Sequence, residues 1–297
     1  MKKQDWLEGI QKRRQTAPVQ VPEDARPRLQ KLDAIRAVVF DVYGTLFSSG
    51  VGDISLSNEG DRNEALQKTL TDHGISIIDA DNSEPLDRTL YEHIGQHQKI
   101  RRAEGIEFPE VEIRNVWKDF TDGLIKEGRI KTPVPIDIET LVIDFETRVN
   151  PTQPMPSLET TLASLRGNGT IMSIISNAQF YTPLLFQAFL GQSYDSLGLC
   201  PDSSVWSYRL LEGKPSQQLY RDSAEKLEQH YGIRTEEVLY IGNDMRNDIW
   251  PAQAIGFKTA LFAGDHLSLR RRKNDSDCRD ILPDLEITAL SQLVECI

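Results

Sequence analysis

The chain has 297 residues, 39% of them hydrophobic, enough to bury a substantial core as one large domain or two smaller ones. Its 34 basic and 45 acidic residues leave a net charge of −11, which repels nucleic acid and anionic membrane, so an anionic substrate has to be drawn in by a local charge arrangement or a metal. No apolar stretch approaches the roughly 20 residues of a membrane helix, the start MKKQDWLEGIQKRRQ lacks the apolar centre of a signal peptide, and Cys200, Cys278 and Cys296 are widely spaced with no C-x-x-C pair; these features predict a soluble cytoplasmic protein.

Residues 1–33 read as an N-terminal arm: a charged, helix-compatible start, then APVQVPEDARPRLQ, whose prolines favour extended chain over the surface. From Ile35 to Asp41 a short apolar, β-branched run stopped by Gly44 predicts a buried strand. Residues from about 55 to 150 carry helical periodicity in NEALQKTLTDHG, PLDRTLYEHIGQHQKIRRAEG, PEVEIRNVWKDFTDGLIKEG and IDIETLVIDFETRVN, and almost no strand signal, which predicts a helical bundle inserted after the first strand. PTQPMPS, at 151–157, is the return linker. Beyond it strands are predicted at Thr170–Ser176, Val238–Ile241, Lys258–Phe262 and, more weakly, Leu285–Ile287. Helical patterns lie between them, one starting at Pro215 and ending at Gly232. Strand alternating with helix is the pattern of an α/β fold with a Rossmann-like, doubly wound parallel sheet. Such a sheet carries its active site beyond the carboxyl ends of its strands. The expected layout is an arm at 1–33, a core at 34–50 and 152–297, and the helical insert at 51–151.

At the predicted strand ends stand Asp41, followed by Tyr43 and Thr45; Ser176 and Asn177; Lys214 before a helix; and Asn243, Asp244, Asn247 and Asp248 in IGNDMRNDI. Singly, each residue is an ordinary turn or capping group. Together they set a carboxylate, a hydroxyl, an ammonium and a carboxylate pair at one edge of one sheet.

The ordered set D-x-Y-G-T-L, S-N, K-P and G-N-D-x-x-x-D resembles the four motifs of the haloacid dehalogenase-like (HAD) superfamily of hydrolases, over residues 35 to about 290. The resemblance implies a Rossmann-like core with an α-helical cap inserted after the first motif. It also implies catalytic residues at Asp41, Tyr43, Thr45, Ser176, Asn177 and Lys214. Asp41 would be the nucleophile, forming a covalent ester that water then hydrolyses, and Ser176 with the amide of Asn177 would hold a phosphoryl oxygen. Mg²⁺ is the implied cofactor, relieving the repulsion between carboxylate and phosphate while Lys214 neutralises the rest. Its ligands would come from Asp41, the carbonyl of Tyr43, Asn243, Asp244 and Asp248. The substrate would be a small phosphorylated molecule, with no nucleic acid or membrane partner; the oligomeric state is not readable.

Two positions depart from the phosphatase pattern. The residue two after the nucleophile, usually a second Asp that protonates the leaving group, is Tyr43, as in the 2-haloacid dehalogenases, whose halide needs no proton. In the fourth motif the usual ligand position carries Asn243 and the acid stands at Asp244, so either residue is open as the ligand. The sequence therefore admits a Mg²⁺-dependent phosphatase, a metal-independent L-2-haloacid dehalogenase, or a phospho-ligand-binding relative with weak or no turnover. The dehalogenase pattern places an arginine early in the cap. SSGVGDISLSNEGDRNEAL offers only Arg62, flanked by acids, where a solvated helix start is the expectation. His93, His97 and Arg101 recur at helical spacing, with Lys99 nearby. A solvated face is expected there, with a phosphate-facing surface or a zinc pair as alternatives, and RRRK at 270–273 is read as a solvated loop rather than an anion site.

Overall fold

A computed structural model describes residues 2–49, 59–78 and 84–297. From the N-terminus run α1 (Lys2–Lys12) and β1 (Ala37–Phe40), then the helical insert. Its described helices are α2 (Glu59–Asp72), α3 (Leu86–Ala103), α4 (Ile113–Lys126) and α5 (Ile138–Val149), with the two-residue strands β2 (Ser76–Ile77) and β3 (Ile130–Lys131) paired antiparallel among them. The remainder alternates through α6 (Leu158–Gly167), β4 (Ile171–Ser176), α7 (Thr182–Leu190), β5 (Val205–Trp206), α8 (Ser207–Leu210), α9 (Gln218–Tyr231), β6 (Val238–Gly242) and a π-turn over Met245–Ile249, to α10 (Trp250–Ala254), β7 (Lys258–Phe262), β8 (Leu285–Ile287) and α11 (Leu293–Cys296).

The main sheet has the order β5-β4-β1-β6-β7-β8, every neighbouring pair parallel. Both faces are covered, and β1 shows why its sequence is continuously apolar. Val38 and Phe40 point into one core layer, Ala37 and Val39 into the other, and all four are fully buried. Leu239 and Ile241 of β6 alternate with Val238 and Tyr240 in the same way. After β1 the chain builds β4 and β5 on one side, then returns to build β6, β7 and β8 on the other, so the order reverses at β1 and the crevice opens beyond Phe40. Among the described residues no helix is long and apolar enough to cross a membrane.

Several short elements were not foreseen and one boundary shifts. β5 was not foreseen, because two residues carry no period. α9 begins at Gln218 rather than Pro215, since the Ser216 hydroxyl accepts the Gln218 N–H at 3.1 Å and ends the preceding loop there. The N-terminal arm, helical at its start and extended beyond it, is docked on the rest of the chain. In α1, Leu7 and Ile10 are buried, Trp6 Nε1 donates to Thr140 Oγ1 at 2.8 Å and Arg13 pairs with Asp144, so α1 packs against both α5 and α7. Further on, Arg28 exchanges backbone hydrogen bonds with Glu286 at 2.8 and 3.1 Å and covers the open edge of β8.

The expected insert boundary at 50/51 lies outside the described residues, as does most of the stretch preceding Arg62. The return is tied to the exit: Ser48 N donates to Gln153 O at 2.8 Å and Met155 N to Leu46 O at 2.9 Å. The apolar faces of α4 and α5, with the Trp117 ring in contact with those of Phe120 and Phe145, form the centre of the insert.

Candidate active site

Asp41 is the first residue past β1, held in the ladder by its N–H donating to Ile241 O at 2.9 Å. Its carboxylate is buried. Oδ1 accepts from Lys214 Nζ at 2.6 Å and from Ser176 Oγ, at the end of β4, at 3.0 Å. Among the described residues Oδ2 accepts no hydrogen bond. One oxygen is thus locked and the other is available.

Lys214 comes from the loop before α9. Its buried ammonium reaches Asp41 Oδ1 and Asp248 Oδ1 at 2.6 Å each, with Tyr240 Oη at 3.4 Å. Burial opposes the charge on this ammonium, but Asp248 and Asp41 more than reverse that, so its pKa is held above the ordinary lysine value. The Lys214 backbone is held by Asn177, whose Oδ1 accepts its N–H at 2.7 Å and whose Nδ2 donates to its carbonyl at 3.4 Å.

The loop after β6 supplies the facing wall. Asp248, at the end of the π-turn, accepts the Asp244 N–H at 2.9 Å and the Tyr240 hydroxyl at 3.0 Å in addition to Lys214, and burial pushes its pKa up. It packs so tightly on Gly242 that a Cβ there would lie 2.3 Å from Asp248 Cγ. Asp244 turns away from the metal-ligand role expected as an alternative for it. Its Oδ1 caps the turn, accepting the N–H groups of Arg246 and Asn247 at 2.9 and 3.3 Å. Both its oxygens take a bidentate pair from Arg272, at 3.0 and 2.6 Å. Asn243 stays toward the site, its Oδ1 accepting from Thr45 Oγ1 at 3.3 Å and its Nδ2 donating to Ser268 O at 2.6 Å.

The basic stretch at 270–273 is not a solvated loop. Arg270 N donates to Asn243 O and Met245 N to Arg270 O, both at 2.9 Å, which draws the segment over the π-turn. Arg270 and Arg272 line the cavity above Asp41, and Arg271 pairs with Glu286. His93 and His97 face α4 instead of the cavity: His97 Nε2 is 2.9 Å from Asp119 Oδ2 and His93 stacks edge-on against Phe120. The lining residues from α3 are Tyr91 and Ile94.

That cavity, of about 380 Å³, lies between the strand ends and the insert. It brings Asp41, Tyr43, Asn177, Lys214, Asn243, Asp244 and Asp248 together, while Ser176 and Thr45 lie fully buried beneath them and act on Asp41 and Asn243. Tyr43 directs its hydroxyl to Thr182 Oγ1 at 3.1 Å, and burial, against that hydrogen bond, pushes the phenol pKa further up. Tyr43 is therefore no base at neutral pH.

Two lining acids from the insert were not foreseen, Glu110 and Glu146. Glu110 accepts from Val111 N at 2.8 Å, Ser207 Oγ at 3.0 Å and Gln179 Nε2 at 3.4 Å, and burial raises its pKa. Glu146 Oε2 accepts from the Tyr181 hydroxyl at 3.2 Å; burial pushes its pKa up to about 7, against that hydrogen bond and with help from Glu110. A signal existed: Glu146 falls four residues after Val142 and three before Val149, both buried apolar positions of α5.

Among the described residues no group of three or more His, Cys, Asp or Glu could hold a metal ion. A hard cation with neutral oxygen ligands still fits. Among the described residues Asp41 Oδ2 is without a hydrogen bond, the Tyr43 carbonyl accepts none from the backbone, and Asn243 Oδ1 has only the long contact from Thr45. Asp244 and Asp248 are committed to Arg272 and Lys214.

Residues 35–256 match the family model of haloacid dehalogenase-like hydrolases. The glyceraldehyde 3-phosphate phosphatase of Methanocaldococcus jannaschii is 24% identical over 265 residues, 89% of this chain and 97% of that one. A phosphoglycolate phosphatase of Yersinia pseudotuberculosis is 26% identical over 237 residues, 76% of this chain and 80% of that one. Among solved structures, a 2-haloacid dehalogenase from Pseudomonas syringae pv. Tomato superposes with a TM-score of 0.53 at 19% identity, covering 88% of this chain and 97% of its own. A HAD phosphatase from Thermococcus onnurineus superposes with 0.51 at 17%, covering 88% and 97%. At these identities the structural likeness establishes the fold.

Proposed function

The chain belongs to the haloacid dehalogenase-like hydrolases, and within that family we propose that it is a phosphohydrolase acting on a small organic phosphate, with Asp41 as nucleophile and the helical insert as its cap. The observation that carries this reading is the Lys214 ammonium set at 2.6 Å from both Asp41 and Asp248 at the floor of the cavity. Lys214 and Ser176 fix the orientation of the Asp41 carboxylate, one oxygen of which attacks. The attack forms an Asp41–phosphorus bond as the ester P–O bond breaks, and the alcohol departs with a proton from water. A second water then cleaves the aspartyl phosphate and frees the carboxylate. Asp248 keeps Lys214 in place, so that its charge serves the incoming phosphoryl oxygens without reorganisation.

Asp41, the Tyr43 carbonyl and Asn243 would hold Mg²⁺. When bound it supplies charge neutralisation for the phosphoryl group. One carboxylate and neutral oxygens make a weak site, so activity should need a high concentration of Mg²⁺. The curated relatives named as phosphatases of glyceraldehyde 3-phosphate and phosphoglycolate support a small phosphorylated substrate, and the three free cysteines suit a reducing cytoplasm. Tyr43 favours a second reading, a metal-independent 2-haloacid dehalogenase, because a halide leaves without a proton.

The test is release of phosphate from p-nitrophenyl phosphate and small esters with Mg²⁺, abolished by EDTA and by Asp41→Asn. No release from any ester, together with EDTA-insensitive halide release from 2-chloropropionate, would overturn the phosphatase reading in favour of the second. Ligand-induced thermal stabilisation without any product would mark a binding protein.

A further inference from the structure

The cavity is electrically polarised. At the core end Lys214, Arg270 and Arg272 stand against Asp41, Asp244 and Asp248, three cations for three carboxylates. The lining from the insert contributes Tyr91, Ile94, Val111, Ile113 and Asn150, and the two acids Glu110 and Glu146. No lysine, arginine or histidine is among the described residues lining that end. Residues 50–61 and 79–83 contain none in their sequence either. Arg62 stacks its guanidinium 4.7 Å from the centre of the Tyr91 ring and is not itself a lining residue. The two glutamates are not equivalent. Both oxygens of Glu110 accept hydrogen bonds, from Val111, Gln179 and Ser207, whereas Glu146 offers Oε1 without a hydrogen bond among the described residues.

A phosphate ester lying between these ends with its phosphorus at Asp41 directs its organic portion toward Glu146. We propose that the substrate is a small amino-alkyl phosphate, its ammonium received by Glu146, and that esters carrying a carboxylate are excluded. The position of the site comes from the cavity and Asp41; the acids only set the class of the leaving alcohol. A carboxylate there would lie beside two acids with no cation among the described lining residues to pair it, which costs more than leaving it in water. An ammonium gains a charge-assisted hydrogen bond from an oxygen that otherwise lacks one. Tyr91 adds an aromatic wall against which a short alkyl chain can lie. Hydrolysis would consume one water and release the amino alcohol and inorganic phosphate. The inference rests on the phosphohydrolase reading and runs against transferring phosphoglycolate, or a haloacid, from the relatives to this chain.

The experiment compares 2-aminoethyl phosphate, glycerol 1-phosphate and phosphoglycolate as substrates of the full-length protein with Mg²⁺. In parallel, calorimetry follows binding of the same esters to Asp41→Asn, which cannot turn them over. The expected result is that kcat/KM for 2-aminoethyl phosphate exceeds that for phosphoglycolate by at least about tenfold, with glycerol 1-phosphate between them. Glu146→Gln should shrink that ratio mainly through KM. Phosphoglycolate turned over or bound as well as the amine overturns the proposal. So does a Glu146→Gln variant that slows every ester equally in kcat, since Glu146 would then move a proton rather than read charge. If no ester is turned over but Asp41→Asn still binds the amine selectively, phosphate hydrolysis fails and the charge selection stands.

Discussion

Replacing Lys214 by methionine keeps most of the side-chain volume and removes the cation that, among the described residues, touches both Asp41 and Asp248. The two contacts are 2.6 Å long, and the side chains of all three residues are less than a tenth exposed. Deleting one partner of a buried pair costs about 3–5 kcal/mol, because the remaining charge stays buried without compensation. Here two carboxylates are left facing one another. That loss is a large share of the 5–15 kcal/mol typical of a folded domain, yet should leave the variant folded at low temperature. The repulsion has a signature. Two carboxylates sharing a site have their folded pKa values raised above the unfolded value of about 3.9, so the folded state binds more protons than the unfolded one and stability increases as pH falls. Wild type should show a weaker trend of the same sign through Asp248, whose pKa is already raised by burial. The gap between variant and wild type should therefore narrow from pH 8 to pH 5, as read by urea unfolding followed by circular dichroism at each pH. A loss below about 1 kcal/mol, the worth of a solvated ion pair, or a gap constant across that range would refute the buried arrangement and with it the case for Lys214 as the residue that poises Asp41.

Tyr43→Asp places a carboxylic acid beside the leaving group and should raise phosphate release by about 10²- to 10⁴-fold, the usual worth of general acid-base help, measured on p-nitrophenyl phosphate with Mg²⁺; an unchanged rate would mean that proton transfer does not limit turnover. Glu146, with a folded pKa of about 7 against 4.5 unfolded, binds its proton more tightly when folded, so stability is lost as pH rises from 4.5 to 7. Glu146→Gln should flatten that slope and stabilise the protein at pH 8 by up to about 3 kcal/mol, a result checked by unfolding at pH 4.5 and 8. Gly242→Ala forces a methyl group into the buried Asp248 carboxyl group and should cost about 1–3 kcal/mol as well as displacing the acid from Lys214; wild-type stability and activity in that variant would contradict the packing.

Much of the fold was legible because a parallel sheet covered on both faces leaves an unmistakable trace. The run AVVF is apolar throughout and buried, and Asp41 follows it directly. That trace also placed Asp41, Ser176 and Asn177 at strand ends and Asn243, Asp244 and Asp248 just beyond another, since a strand's last residue is fixed by where its apolar pattern stops. The helices of the insert were equally plain from their 3.6-residue period. What the sequence by itself determined is therefore the architecture, the family resemblance and the membership of the strand-end site. Tertiary structure decided which of those residues are committed elsewhere and what faces them. Asp244 is taken by Arg272, 28 positions along the chain, because the segment after β7 folds back over the π-turn. Glu110 and Glu146 come from different parts of the insert and meet only when α4 and α5 close over the strand ends. Pairing between distant residues has no local period or propensity to announce it, and the charge of the cavity is a sum over such pairings.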